Sequence, residues 1–306
     1  MSDSGRRTQD SGLIVIAGPT GVGKSRLALR LAEGTGGEIV NYDSIQVYRG
    51  FDIGSAKPSA EERARVPHHL FDVVEAGEEF NAADYARLAR TACDEIDARG
   101  HRAILAGGTF FYLRALLAGL PEMPGRDAKI RARLRRIAPA RLHRWLSKVD
   151  PQSGRKIAPA DRHRVERALE VWITSGRPIS SWEQIVDEIP SIKIGLTLER
   201  PALVEALDRR VDAMYANGLV EETRRLLARY PPDARPFGAI GYAEAAAVVS
   251  GERTLDEAIA ETRRRTRAYA KRQMTWLRAE RNVHWVDAGN PEDAYHAALR
   301  LIEVGR

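Results

Sequence analysis

Two periods of hydrophobic and polar positions alternate along the chain. Short apolar runs fall at 13–17, 38–41, 102–106 and 192–198, with weaker candidates at 69–74 and 283–287. Between them apolar residues recur every three or four positions, as Leu88, Ala92 and Ile96 do within 81–98. Strands of a parallel sheet are covered on both faces and read as continuous apolar runs, whereas the helices that cover them show one apolar stripe. The pattern predicts further helices over 26–33, 110–117, 128–137, 140–148, 161–172, 203–216 and 255–277, one starting at Gly218 and a last one from Pro291. Segments 51–58 and 237–242 carry turn residues and no amphipathic period. The expected fold is therefore α/β, a parallel sheet flanked by helices.

The series is interrupted once. Pro121, Pro124 and Gly125 mark a linker, and short basic helices with no strand follow to about 189. We expect a helical insertion over 119–189 within an α/β core formed by 12–118 and 190–306, preceded by a flexible polar tail at 1–11. In segment 161–172, Val165, Leu169 and Trp172 form the apolar stripe, while Arg164 and Arg167 fall elsewhere and are free for phosphates.

The first apolar run leads straight into Gly18-Pro19-Thr20-Gly21-Val22-Gly23-Lys24-Ser25, the G-x-x-x-x-G-K-S phosphate loop. Its glycines let backbone N–H groups converge on a diphosphate. Lys24 adds positive charge, the Ser25 hydroxyl can hold Mg²⁺, and the following helix presents its N-terminus to the anion. The loop shows that a diphosphate is bound without showing which. The fold expected is thus like that of P-loop NTPases, with ATP binding implied by the motif alone.

Two further strand ends belong beside this loop, because ligands of open α/β sheets bind at the carboxyl ends of strands. The run 38–41 leads to Asp43-Ser44, where a carboxylate can accept a proton, hold a metal-bound water, or simply N-cap a helix. The run 102–106 leads to Gly107-Gly108-Thr109, where an ATPase or GTPase would carry an acid for Mg²⁺. The two glycines permit close backbone approach, and Thr109 supplies a hydroxyl.

The net charge of +6 is unevenly spread. Residues 126–177 hold 15 Lys/Arg against 5 Asp/Glu, and 263–281 hold 8 against 1, so the rest of the chain is acidic. Such blocks suit either a polyanionic partner or a solvated Arg-rich surface. In helix 255–277, Ala270, Met274 and Leu277 form the core side. Lys271, Thr275 and Arg278 form a face that can follow an RNA backbone, and Trp276 either stacks on a base or packs. No apolar run reaches the roughly 20 residues of a membrane span. The single cysteine, Cys93, reads as a small core residue, the seven histidines lack metal-ligand spacing, and the cytoplasm is the simplest compartment.

Taken together, these motifs resemble the bacterial tRNA isopentenyltransferase (tRNA dimethylallyltransferase) family. The likeness is carried by Gly18-Pro19-Thr20, the runs 43–50 and 52–58, Gly107-Gly108-Thr109, 164–170, Ile240-Gly241-Tyr242 and 271–278, and so spans nearly the whole chain. It implies transfer of a dimethylallyl group from dimethylallyl diphosphate to N6 of the adenosine 3′ of the tRNA anticodon, with Mg²⁺ as cofactor. It implies that the P-loop holds the prenyl diphosphate, that Asp43 is the general base, and that Thr109 and Arg210 help place the donor. It also implies contacts of Asp43, Ser44, Ile45, Gln46, Thr109, Arg131, His163, Arg164, Val165, Glu166, Arg167, Gly238, Ala239, Ile240, Gly241, Tyr242, Ala243, Lys271, Arg272, Gln273, Met274, Thr275, Trp276, Leu277 and Arg278 with the anticodon stem-loop. A monomer with no membrane partner is expected. Competing readings are a P-loop small-molecule kinase, a prenyltransferase acting on free adenine nucleotides, and a non-catalytic RNA-binding switch.

Overall fold

The structure is a computed structural model that describes residues 12–182 and 188–304. The expected tail at 1–11 lies outside the described residues. The chain forms two compact units, one of residues up to Leu117 and from Ile189 onward, the other from Ala118 to Glu188. Each boundary falls one residue earlier than the sequence reading placed it.

The larger unit runs β1 (Leu13–Ala17), α1 (Lys24–Thr35), β2 (Glu38–Asn41), α2 (Ala60–Arg65), β3 (His68–His69), α3 (Ala82–Ala98), β4 (Ala103–Ala106) and α4 (Phe110–Leu117). The smaller unit is helical, with α5 (Ala128–Arg135), α6 (Pro139–Val149), α7 (Pro151–Lys156) and α8 (Arg162–Ser175). The chain then completes the larger unit with β5 (Ser191–Thr197), α9 (Arg200–Ala216), α10 (Leu219–Arg229), α11 (Tyr242–Val249), α12 (Leu255–Ala279), β6 (Val283–Asp287) and α13 (Pro291–Val304).

All six strands are parallel, in the order β3-β2-β4-β1-β5-β6. β1 and β4 are central and buried along their whole length. Ile14, Ile16, Ile104, Ile194 and Leu196 pack with Leu27 and Leu31 of α1 and with Ala298 and Ile302 of α13, which closes one face of the sheet. This arrangement puts the C-terminal ends of β1, β2 and β4 side by side. β3 is far shorter than the expected 69–74, because Leu70 (φ 63°) and Asp72 (φ 55°) adopt left-handed backbone that cannot continue a strand. In the smaller unit Leu134, Leu142, Leu146, Val165, Ala168 and Leu169 form a separate core.

Candidate active site

The phosphate loop opens α1 without a side-chain cap. Gly23, at φ 98°, stands at the N-cap, so the first helical N–H groups keep no intrahelical partner. Any residue with a Cβ would be strained there. A cavity of about 260 Å³ begins at this loop and is lined by Thr20, Gly21, Lys24 and Ser25, with Asp43 and Arg210 across it. Lys24 Nζ donates to the carbonyls of Gly18 (3.0 Å) and Pro19 (2.8 Å). Burial lowers its pKa to about 7; the neighbouring Arg210 adds to the effect and Asp43 opposes it. Arg210 is lowered as well, by burial, with Asp43 again opposing. Two cationic groups thus share a poorly solvated site that a bound diphosphate would neutralise.

The second wall is the end of β2. Asp43 Oδ1 accepts from the backbone N–H of Ile45 (2.8 Å) and of Gln46 (3.4 Å). The carboxylate therefore caps its turn with one oxygen, while Oδ2 lies against Gly108, another cavity-lining residue. A Cβ on Gly108 would stand 3.0 Å from both Asp43 Oδ2 and Gln273 Nε2. One on Gly107 would meet the Tyr42 carbonyl carbon at 2.5 Å. The close approach expected of Gly107-Gly108 is hence a physical requirement of the site.

Several expected site residues are engaged elsewhere. Thr109 Oγ1 accepts from Ser44 N–H (2.9 Å) and donates to Ser44 Oγ (3.1 Å). The same hydroxyl meets that of Tyr269 at the cavity wall, so Thr109 ties the turn that carries Asp43 to a cavity-lining side chain. Gln46 Nε2 donates to the carbonyls of Ser55 and Ala56, tying the 51–58 loop to the site. Val165, Tyr242 and Leu277 are buried in their cores, and Glu166 is buried and paired with Arg162, so contacts of these side chains with tRNA are replaced by packing. The Tyr242 hydroxyl donates to buried Glu222, whose carboxylate also accepts from Ile53 N–H. Gly241 is buried beside it, while Gly238 is exposed and Ala239, Ile240 and Ala243 are half-buried.

The basic groups divide in the same way. Arg131 forms a bidentate pair with Glu170 (2.8 and 2.9 Å), and Arg167 binds Glu170 (2.8 Å) and the carbonyls of Pro124 and Gly125. Opposed by burial but held by these two guanidinium groups, Glu170 has its pKa lowered to about 2. Both arginines therefore build the smaller unit, and Arg167 is not free in the way the helical spacing suggested. Arg164 is exposed, as is His163. On α12, Lys271, Arg272, Thr275 and Arg278 are exposed, as the helical spacing required. Trp276 is partly exposed and stacks on Phe110 at 6.1 Å. The buried residues of α12 are Ala258, Thr262, Ala270, Gln273 and Leu277, with Met274 half-buried, so a threonine and a glutamine stand among the apolar residues of its inner side.

Sequence reasoning also missed Tyr269. It lines the cavity and donates to the Gly108 carbonyl (2.9 Å). Its position four residues before buried Gln273 is the signal that marks it. As for Mg²⁺, no group of three His, Cys, Asp or Glu among the described residues could hold a metal. The exposed Ser25 hydroxyl at the cavity wall fits an ion held mainly by phosphate oxygens and water.

The parallel sheet, the phosphate loop and the facing carboxylate place the protein among the P-loop α/β enzymes. A family model described as IPP transferase matches residues 46–280. The tRNA dimethylallyltransferases of Geobacter metallireducens and Anaeromyxobacter sp. are 49% and 47% identical to the chain, covering 90% and 94% of it and 92% and 98% of the relatives. Among solved structures, the tRNA isopentenylpyrophosphate transferase of Bacillus halodurans is 37% identical, with 96% and 98% of the two chains covered and a TM-score of 0.72. A eukaryotic dimethylallyltransferase caught acting on tRNA is 28% identical over 94% of this chain and 78% of its own, with a TM-score of 0.79. The chain belongs to the tRNA dimethylallyltransferase family.

Proposed function

We propose that this enzyme transfers a dimethylallyl group from dimethylallyl diphosphate to N6 of the adenosine 3′ of the anticodon, releasing diphosphate. The observation that carries the reading is the Asp43 carboxylate lining the same cavity as Lys24, Ser25 and Arg210. Displacing diphosphate from an allylic carbon leaves charge on the departing oxygens. The Lys24 ammonium, the Arg210 guanidinium and the loop N–H groups would stabilise that charge. Mg²⁺ held at Ser25 supplies further charge neutralisation when bound. An exocyclic adenine amine is a weak nucleophile, and Asp43 accepts its proton as the new C–N bond forms. A base in an anticodon loop can be splayed out of its stack to reach such a cavity.

The exposed cations of α12 and of α8 would hold RNA phosphates, which position the substrate without taking part in chemistry. No helix among the described residues is long and apolar enough to cross a membrane. The test is mass spectrometry of tRNA nucleosides after incubation with the protein, dimethylallyl diphosphate and Mg²⁺. The reading expects prenylation at the adenosine beside the anticodon. Prenylation of AMP in preference to tRNA would replace it.

A further inference from the structure

Gln273 comes from α12, far along the chain from either wall of the cavity, yet it touches both. Its Oε1 accepts from the Thr20 N–H of the phosphate loop at 2.7 Å, and its Nε2 donates to the Gly108 carbonyl at 2.8 Å. The side chain is 3% exposed. The Gly108 carbonyl also receives the Tyr269 hydroxyl, one turn earlier on the same helix. Gly108 is the residue that lies against Asp43 Oδ2, so a single amide spans from the donor cradle to the carboxylate's neighbour.

We propose that Gln273 is a positioning residue that sets the separation between the phosphate loop and Asp43, and that it makes no contact with tRNA through its side chain. The proposal rests on the prenyl-transfer reading above. The chemistry of the contact explains why an amide is buried between Ala270 and Leu277. One end must accept from a backbone N–H and the other must donate to a backbone carbonyl, and among side chains of this length glutamine alone does both at neutral pH. Gln273→Met keeps the volume and loses both bonds. Gln273→Glu keeps the acceptor and loses the donor while ionised, and regains a donor when protonated. Tyr269→Phe removes the second bond to Gly108 together with the hydroxyl's contacts with Gln273 and Thr109, and leaves both backbone bonds of Gln273 in place.

The experiment uses the full chain and measures four quantities: single-turnover rate at saturating dimethylallyl diphosphate and tRNA, donor KM, tRNA affinity and melting temperature. A loss of alignment lowers the saturated rate, because misplacement of about 1 Å costs on the order of 10²-fold. We expect Gln273→Met to lower the saturated rate by about 10- to 100-fold with tRNA affinity within about twofold of wild type. Tyr269→Phe should lower the same rate by less, again without weakening tRNA binding; as the milder change, it keeps the test open if Gln273→Met does not fold. The rate of Gln273→Glu, taken as a ratio to wild type, should rise as pH falls. An unchanged saturated rate with weakened tRNA binding would make Gln273 an RNA contact and overturn the proposal. A lowered melting temperature with an unchanged rate would overturn it in favour of packing alone. Wild-type protein that made no prenylated tRNA would instead remove the reading on which the proposal stands, so the two failures are distinct.

Discussion

Replacing Asp43 by asparagine tests the base assignment most sharply, because the carboxylate does two jobs with two oxygens. Oδ1 accepts from Ile45 N–H at 2.8 Å and caps the turn; Oδ2 lies beside Gly108 at the cavity. Asparagine retains an acceptor for the first job and cannot accept a proton in the second. The turn should therefore survive, with a stability change within about 0.5 kcal/mol, whereas alanine also loses the cap at a cost of about 1 kcal/mol. In a chain of 306 residues the alanine variant should melt about 1–2 °C lower. The single-turnover rate should fall by about 10²- to 10⁴-fold in both variants, the range for loss of an acid–base group. Donor affinity should move the other way. Asp43 is the acid that acts on both Lys24 and Arg210, and removing its charge leaves more of theirs for the diphosphate. Calorimetric titration with dimethylallyl diphosphate should show unchanged or tighter binding. A near-normal rate in Asp43→Asn would refute the base role. Lost donor binding with a proportionate loss of rate would show that the carboxylate serves the metal or the diphosphate.

Four other outcomes follow from particular side chains. Lys24 has a pKa of about 7 in the free protein, and a bound diphosphate stabilises its ammonium, so above pH 7 donor binding should take up a proton that it does not need below; calorimetry in buffers of different ionisation enthalpy should show this uptake in wild type and not in Lys24→Met. Glu170, with its pKa lowered to about 2, contributes stability that is present above the ordinary carboxylate range and is lost as pH falls toward 2; Glu170→Gln should be about 3 kcal/mol less stable to urea at pH 7, with the deficit shrinking as pH falls from about 4.5. Lys271→Ala and Arg278→Ala should each lower the log–log salt dependence of tRNA binding by about one with little change in the saturated rate. Arg131→Ala and Arg167→Ala should instead reduce melting temperature, since each strands part of the buried Glu170 charge.

Much of the fold is legible in one dimension because its signals are local. β1 and β4 are continuous apolar runs, α3 shows its apolar stripe, and the glycines at 18–23 and 107–108 mark left-handed backbone or close approach. What stays hidden depends on partners distant in sequence. The six residues of α7 are polar and short, and they hold together through the Asp150 cap. Basic residues in 126–177 look alike when counted, yet Glu170, a single buried acid, claims Arg131 and Arg167 and leaves Arg164 exposed. Thr109 and Ser44 are 65 positions apart, and only the meeting of their strand ends brings the Thr109 hydroxyl onto the turn that carries Asp43. Gln273 looks like one more polar residue of a basic helix until its two backbone partners are seen.

The central claim is that the phosphate loop holds a prenyl diphosphate opposite Asp43, and one measurement addresses it directly: the stoichiometry of the reaction on tRNA with ATP present. Diphosphate and N6-prenylated adenosine should form in equal amounts, inorganic diphosphate should compete with the donor, and ATP should remain intact. Hydrolysis of ATP in step with modification, or release of diphosphate without prenylated adenosine, would contradict the account.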